Sequence, residues 1–401
     1  MDRNRSLTKI AFGAFYLGII TEVLMVIIDK SAYTNPIEGR LFQFTFLLFF
    51  IKVCLTKYSK TEYLTIFLFC ILGAISYFIT DRNEVIRLVM LIAACKNVDM
   101  QKCLKTIFYI TLIGCVLIII LSILGIYGTI SNTMDYGRGG VETRYVLGMG
   151  HPNALQCMVW ALTALGLYLF GEKLRLVGYL VILAVNFFFY LLSDSRTSLL
   201  VIVMTILLAY FFSINKHPLL KRILAGLCIG GTIFCIAFSV LTAANAYRVY
   251  EYEWSLNRSP LNRLWAMLNE LLNGRIRILS GTLKFEGTIS TWSLFSSPER
   301  TYYFDMGWIR LFYWYGIIPA CIFIVVMILV MFYCYKKKQY FAIVLITSFA
   351  LYSVVEAHAI SVYLARNYVF FLMGLYWSKL INRAEWLNEK QIATMKEGTI
   401  K

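Results

Sequence analysis

The stretch that decides the fold is 174–214, LRLVGYLVILAVNFFFYLLSDSRTSLLVIVMTILLAYFFSI, in which two apolar runs flank a short polar turn. The runs, 174–192 and 197–214, approach the about 20 mostly apolar residues that a bilayer-spanning helix needs. The turn between them, 193–198, is too short to form an element of its own. The pattern therefore predicts a helical hairpin that crosses a membrane twice.

The rest of the chain repeats this pattern. Of 401 residues, 60% are hydrophobic and 15% are charged, whereas soluble domains carry about 45–50% apolar and about 25% charged residues. This excludes a soluble enzyme, a disordered regulator and a secreted disulfide scaffold. Spans are expected at 10–28, 41–55, 63–80, 84–95, 106–126, 152–170, 174–192, 197–214, 222–243, 307–334, 340–360 and 363–381. The predicted fold class is an all-α polytopic membrane protein with about 12 transmembrane helices, of which 84–95 is the shortest.

Charge in the connecting segments predicts the orientation. If all twelve spans exist, alternate short segments hold 17 Lys and Arg against four Asp and Glu, and the remaining short loops hold six of each sign. Cytoplasmic loops of membrane proteins carry the excess of Lys and Arg, so both termini are expected to be cytoplasmic. The net charge of +16 is then an orientation signal, and no nucleic-acid partner is expected.

One long hydrophilic segment, 244–306, is predicted on the extracytoplasmic side, within a single membrane domain, 1–401. It contains a helix that starts at Ser259-Pro260 and ends near Gly274. The apolar positions of this helix recur at helical spacing: Leu261, Leu264, Trp265, Leu268, Leu271 and Leu272. Such an amphipathic helix is expected on the membrane surface or over a cavity.

Charged residues inside predicted spans are costly unless they are paired or hydrated. The set comprises Glu22, Arg87, Arg310, Glu356, His358 and Arg366. The simplest interpretation is ion pairing between helices, for example Glu356 with Arg310 or Arg366, and a structural pairing for Glu22 and Arg87. The ten cysteines lie in apolar runs or beside basic loops without CxxC spacing, so neither a metal site nor a cofactor is expected.

Polar residues at the predicted outer ends of the spans each have a structural explanation. His151 precedes Pro152 and suits a helix cap, Arg196 suits contact with headgroups, and Asp305 suits a helix N-terminus. The topology nevertheless gathers eight such residues on one side: His151, Arg196, Arg275, Arg277, Asp305, Glu356, His358 and Arg366. Arginines grip phosphate oxygens through two-point hydrogen bonds, and a carboxylate or imidazole beside them can accept a proton.

Several short motifs resemble those of bacterial surface-polysaccharide repeat-unit polymerases of the Wzy type, which are related to the O-antigen ligases. The motifs are Gly150-His151-Pro152-Asn153, Ser195-Arg196-Thr197, Asn273-Gly274-Arg275-Ile276, and Asp305 followed about ten residues on by Tyr315-Gly316. Their order and spacing, over about 125–370, carry the resemblance. It implies a GT-C-like membrane glycosyltransferase fold in the bacterial cytoplasmic (inner or plasma) membrane.

The resemblance also implies the reaction. The donor is a glycan on undecaprenyl diphosphate, which is transferred onto the terminal sugar of another lipid-linked repeat unit at the outer face of the membrane. The lipid diphosphate is the leaving group, so no cofactor is implied. The implied partners are the lipid-linked glycan, the bilayer, and a flippase and a chain-length regulator of the same pathway. The product would be an O antigen, a capsule or an exopolysaccharide.

The resemblance assigns roles to individual residues. Arg196 and Arg275 match arginines that hold the diphosphate, and Arg277 is a neighbour without a firm counterpart. Asp305 is the first candidate for the catalytic group that activates the acceptor, and His151 is the second.

A further polar patch, Glu356 and His358 with Arg366 nearby, is expected to help seat the donor or the acceptor. The sequence departs from the family pattern at Met306, where the polymerases have Asn.

Two other functions fit a similar chain. A ligase would pass finished polymer to lipid A core, a protein or the wall, but ligases carry a His-Asn pair where this chain has Asp305 and Met306. A lipid-linked glycan flippase or other transporter often shows a two-fold internal repeat and charges at the membrane midplane. Here the hydrophilic residues gather on one side, in one long segment, which favours the polymerase.

Overall fold

The computed structural model describes residues 2–135, 140–255, 257–281, 285–359 and 361–382. The described residues form a helical bundle with one two-stranded antiparallel sheet. In chain order the elements are α1 (Asp2–Lys30), α2 (Glu38–Cys54), α3 (Lys60–Thr80), α4 (Glu84–Ala94), α5 (Met100–Ile123), β1 (Ser131–Asp135), β2 (Val141–Tyr145), α6 (Pro152–Phe170), α7 (Leu176–Ser193), α8 (Arg196–Ile214), α9 (Pro218–Asn245), α10 (Tyr247–Trp254), α11 (Pro260–Leu271), α12 (Arg275–Ser280), α13 (Gly307–Tyr315), α14 (Ile317–Lys336), α15 (Tyr340–Val355) and α16 (Val369–Ile381). The C-terminus, predicted to be cytoplasmic, lies outside the described residues.

The mostly helical membrane class is confirmed. Among the described residues, eight helices are long and apolar enough to cross a membrane: most of α1, and α3, α5, α6, α7, α8, α9 and α14. Helices α15 and α16 are apolar but shorter, so the count of twelve spans stays a prediction. The β1–β2 hairpin, in the segment before α6, departs from an all-α fold. All ten cysteines are free thiols.

The short helix α4 joins the two ends of the bundle. Before it, Arg82 donates to the backbone carbonyls of Ser297 and Arg300 in the long hydrophilic segment. After it, Lys96 pairs with Glu62 at the opposite end. With 11 residues and a rise of about 1.5 Å per residue, α4 covers roughly half of the about 30 Å apolar core of a bilayer. We refer to the end that carries 244–306 as the loop end.

The expected single span 307–334 is wrong, because the chain breaks there into α13 and α14. The break is at Gly316, whose φ of 92° lies in the region that favours glycine. A Cβ at this position would lie 2.5 Å from the Cα of Phe295. The long segment therefore packs directly against the break.

That segment also satisfies the backbone groups that the break exposes. The N–H groups of Ile317 and Ile318 donate to the carbonyls of Ser293 and Leu294, at 2.9 and 3.0 Å. Buried backbone groups need such partners, above all at membrane depth. The broken helix and the loop are thus one structural unit.

The boundaries of the last two spans also differ from the prediction. Helix α15 ends at Val355 and α16 begins at Val369, so Glu356 and His358 lie in a non-helical connection and not inside a span. The side-chain amide of Asn367 donates to the carbonyls of His358 and Ala359, both at 3.2 Å. These hydrogen bonds hold a connection whose described residues form no α-helix and only one short 3-10 helix, Leu364–Arg366.

The predicted helix in the hydrophilic segment is confirmed as α11. Ser259 caps it by accepting a hydrogen bond from the Asn262 N–H, and Pro260 is its first residue. Gly274, with a φ of 78°, follows its end. Trp265 is buried, whereas Leu261, Leu264 and Leu271 are exposed, an arrangement that suits a helix lying on a bilayer surface.

The structural pairing of Glu22 and Arg87 is confirmed. The Nη2 of Arg87 lies 3.0 Å from the Glu22 Oε1, and both side chains are buried. Glu22 also accepts from the Leu364 N–H at 3.1 Å, and Arg87 donates to the Val362 carbonyl at 2.9 Å. This pair therefore anchors the non-helical connection before α16 to α1 and α4.

Replacing Gly316 with Ala is predicted to lower the free energy of unfolding in detergent by about 2 kcal/mol or more. The Ala side chain would be strained at this positive φ and would also overlap with neighbouring atoms. Gly226→Ala in α9, where a Cβ meets nothing within 4 Å, is the control and should be neutral or slightly stabilising. Equal melting temperatures for the two variants in a thermal unfolding assay would contradict the role of the break.

Candidate functional site

Arg275 is the centre of an ion cluster at the loop end. It is the first residue of α12, and its guanidinium is buried. Its Nη2 donates to the Glu356 Oε1 at 3.0 Å, and its Nε lies 3.7 Å from the Asp305 Oδ2. We call these three residues the Arg275 cluster. The expected pairing of Glu356 with Arg310 or Arg366 is wrong, because the carboxylate takes its ion pair from the long hydrophilic segment.

Gly307 brings the two carboxylates together. A Cβ on this residue would lie 2.7 Å from the Glu356 carbonyl oxygen and 3.2 Å from the Ala357 Cα. The start of α13 therefore packs directly on the backbone of the non-helical connection. Asp305, two residues earlier, is consequently held beside Glu356. Met306 is buried at the N-cap of α13 and makes no capping side-chain hydrogen bond. An apolar side chain therefore occupies the position at which an Asn could cap the helix.

Two further arginines surround the cluster. The Arg366 Nη2 lies 3.4 Å from the Nε2 of the buried His358. Arg310 donates from its Nε to the Phe304 carbonyl at 3.1 Å, and its guanidinium stacks 3.6 Å from the ring centroid of Tyr303. Both arginines are close enough to Glu356, Asp305 or each other to interact electrostatically. Arg310 was not predicted as a site residue, although its place inside an expected span had marked it as costly.

Several buried nitrogens at this site have no hydrogen-bond partner among the described residues. They are the Arg275 Nε, the Arg310 Nη2, the Arg366 Nε and the His358 Nδ1. A buried donor without a partner is costly. Three of these atoms belong to guanidinium groups, so the arrangement favours a ligand that brings anionic oxygens.

Glu356 is held in an unusual protonation range. It lies beyond the end of α15, and its side chain is 15% exposed, against 37% for Asp305. Burial and the neighbouring Asp305 carboxylate raise the pKa of Glu356 to about 7, while Arg275 and Arg366 oppose this shift. The Glu356 carboxyl group can therefore gain or lose a proton near neutral pH.

His151 has the capping role that its sequence position suggested. Its Nδ1 accepts a hydrogen bond from the Asn153 N–H at 3.1 Å at the start of α6. Burial lowers the pKa of His151 and Arg144 lowers it further, whereas Asp305 raises it. In the neutral ring that this cap selects, the proton sits on Nε2, so the free nitrogen of the ring is a hydrogen-bond donor.

Arg196 and Arg277 are placed differently from the other predicted residues. Their side chains are 66% and 60% exposed, and each forms an ion pair with a nearby acidic residue, Asp194 at 3.5 Å and Glu253 at 3.8 Å. The structure gives neither a contact with the Arg275 cluster. Of the eight predicted site residues, these two therefore lie at the exposed periphery.

The structure adds charged residues that the sequence did not single out. Arg144 of β2 is buried, pairs with Glu142 and approaches the Asp194 Oδ2 at 3.7 Å. Lys30 and Asp29, at the end of α1, form an ion pair at 2.8 Å and act electrostatically on His358 and Arg366 respectively. Hydropathy gives no signal for them, because charges at span ends are ordinary.

No family model, curated protein or solved structure matches this chain.

Replacing Asp305 with Asn is predicted to lower the pKa of Glu356 below about 7, because it removes a negative neighbour that raises this pKa. Infrared difference spectra recorded against pH, with Glu356→Gln to identify the band, would measure the change. Asp81→Asn, an exposed substitution in the turn between α3 and α4, should leave the midpoint unchanged. An unchanged or higher midpoint in Asp305→Asn would contradict the geometry of the cluster.

Proposed function

We propose that this chain is a membrane glycosyltransferase that polymerises polyprenyl-diphosphate-linked oligosaccharide repeat units into surface polysaccharide. The donor would be a glycan on undecaprenyl diphosphate, and the reaction would take place at the outer face of the bacterial cytoplasmic membrane. The observation that carries the proposal is the Arg275 cluster, with Arg310 and Arg366 beside it, at the loop end of an apolar bundle.

The arginines supply what a diphosphate leaving group requires. Among the described residues, Arg310 and Arg366 each retain a buried nitrogen without a hydrogen-bond partner, and the Arg275 Nε has only its 3.7 Å ion pair with Asp305. Guanidinium groups bind phosphate oxygens through paired hydrogen bonds. As the bond between the sugar and the diphosphate breaks, negative charge grows on the leaving oxygen. Fixed cations in a poorly hydrated site stabilise this charge more than water does.

The carboxylates supply the base. The acceptor hydroxyl attacks the anomeric carbon, the bond from that carbon to the diphosphate oxygen breaks, and the hydroxyl proton passes to a carboxylate. Asp305 is the more exposed of the pair, so we assign it the proton transfer. Glu356 accepts a hydrogen bond from Arg275 and so holds it in place, and its pKa of about 7 lets its own charge change near neutral pH.

An apolar cavity beside the site suits the lipid part of the donor. It has a volume of about 280 Å³ and lies between α3, α4, α14 and α16. Ser361 and Leu364 line part of it, and Arg366 follows two residues later. A hydrocarbon chain in this cavity would have its charged end close to the arginines, as a polyprenyl diphosphate requires.

The orientation and the partners follow from the same proposal. The loop end would face outward, and the opposite end, with the buried Lys52 donating to the Lys96 carbonyl at 3.1 Å, would face the cytoplasm, as the charge bias predicts. A flippase would deliver the donor to the outer face, and a chain-length regulator would act on the product. The GT-C-like fold is part of this proposal.

Arg275→Ala is predicted to reduce polymer synthesis by about 10²–10³-fold, the loss typical when a preorganised group that stabilises developing charge is removed. The gel profile of the surface glycan should then show single repeat units in place of a ladder, with normal amounts of protein in the membrane. Single units would also separate a polymerase from a ligase, whose loss leaves the polymer intact but unattached, and from a flippase, whose loss removes units from the surface.

Arg277→Ala is the matched control, since it removes the same charge from the same helix at an exposed position. It should retain most of the ladder. A normal ladder from Arg275→Ala would refute the role of the buried cluster, and equal losses in both variants would show that the net charge of α12, and not the buried geometry, is what matters.

A further inference from the structure

A second cavity lies at the loop end, beside the connection between α1 and α2. Its volume is about 400 Å³, within the range of about 300–1,000 Å³ typical of small-molecule sites. It differs from the apolar cavity because polar and aromatic groups line it. Those that matter here are Asp29, Tyr33, Asn35, Glu38, Gly150 and Tyr363.

The chemistry of this cavity suits a carbohydrate. Asp29, Glu38 and Tyr363 line the same cavity, and both carboxylates are close enough to the Tyr363 hydroxyl to act on it electrostatically, so two strong acceptors lie at one wall. Carboxylates accept short, charge-assisted hydrogen bonds from hydroxyl groups, which a sugar carries on neighbouring carbons. Tyr33 is 52% exposed and offers an aromatic face to the C–H surface of a sugar ring.

The same groups disfavour the donor diphosphate. Asp29 is already ion-paired with Lys30, but the Glu38 carboxylate adds negative charge to the wall. This charge repels an anion, whereas a neutral polyhydroxyl ligand meets no such penalty. The cationic Arg275 site and this acidic cavity are therefore complementary to different parts of the reaction.

The walls of the cavity are fixed before any ligand binds. The Gly150 N–H donates to the Lys30 carbonyl at 3.0 Å, and the Ala32 N–H donates to the Gly148 carbonyl at 3.2 Å. A Cβ on Gly150 would lie 3.2 Å from the Ser31 carbonyl oxygen, so the two strands of backbone are in close contact. Such a preorganised wall reduces the entropy lost on binding.

The cavity adjoins the candidate active site. Gly150 is followed directly by His151, which interacts electrostatically with Asp305. On the other side, Asp29 interacts with Arg366. A sugar held here would have its free hydroxyl groups near the proposed base.

We infer that this cavity is the acceptor subsite, which binds the terminal sugars of the repeat unit that receives the growing chain. This inference rests on the proposed function, and it adds the place where the second substrate binds. Asp29 and Glu38 would accept hydrogen bonds from sugar hydroxyl groups, and Tyr33 would stack on the ring.

The test measures binding separately from transfer. The probe is the lipid-free repeat-unit oligosaccharide released by mild acid from the lipid-linked intermediates of the source cell, titrated calorimetrically into purified full-length protein. Glu38→Gln and Tyr33→Ala should each weaken binding at least about tenfold, as expected for the loss of a charge-assisted hydrogen bond or a stacking surface. The control variant Glu172→Gln should bind the glycan like wild type.

The controls cover folding and charge. Tyr33 is exposed, so its truncation should not impair folding. Glu172→Gln is the control for charge, because it removes a carboxylate from an exposed position between α6 and α7. Wild-type protein that does not bind the glycan, or variants of Glu38 and Tyr33 that bind it unchanged, would overturn the subsite.

The same experiments distinguish failure of the proposed function from failure of the acceptor subsite. If wild type binds the glycan and the cavity variants do not, but wild type forms no polymer from lipid-linked units, the sugar site stands and the polymerase does not. If wild type forms polymer but the cavity variants keep both glycan binding and their affinity for the acceptor, the polymerase stands and the subsite is refuted.

Discussion

A guanidinium buried at the end of an apolar bundle must have negative partners, and this requirement organises the loop end of the protein. An isolated charge in such a place would cost several kcal/mol or more. Arg275 finds its partners in Asp305 and Glu356, which come from two other parts of the chain. The long hydrophilic segment, the start of α13 and the end of α15 must therefore meet at one point.

That meeting requires helices that break. Non-helical backbone at membrane depth is tolerated only where protein or an aqueous cavity satisfies its polar groups. The break at Gly316 meets this condition through the carbonyls of Ser293 and Leu294, and the connection before α16 meets it through Asn367. Gly307 then allows the start of α13 to pack against the backbone of that connection.

The sequence predicted the local features and missed the long-range ones. The cap at Ser259, the extent of α11 and the need of Glu22 and Arg87 for structural ion pairs follow from short patterns or from the cost of burying charge. The structure confirms them and shows that Glu22 and Arg87 pair with each other. The break at Gly316 was missed, because hydropathy averages over a span and the loop that fits into the break is far away in the sequence. The partner of Glu356 was also missed, since Arg275 lies 81 residues away and nothing local links the two residues.

The sequence predicted which residues gather at the candidate site, but not which of them are buried. Residue type and predicted topology placed eight residues at one end of the bundle, and the structure links Arg275, Asp305 and Glu356 directly. Residue type and predicted topology could not distinguish the buried Arg275 from the exposed Arg196 and Arg277, because all three residues follow polar turns. Exposure depends on what packs above a side chain, and this is set by the fold of the long segment as a whole.

The proposed reaction requires that the buried arginines bind a lipid diphosphate. Equilibrium binding of undecaprenyl diphosphate to the purified protein in lipid nanodiscs would measure this. Binding by wild type that falls at least about tenfold in Arg366→Ala, the loss expected for a buried charge-assisted contact, and is retained in Arg196→Ala, is the predicted result. Equal affinity in all three proteins would contradict the account.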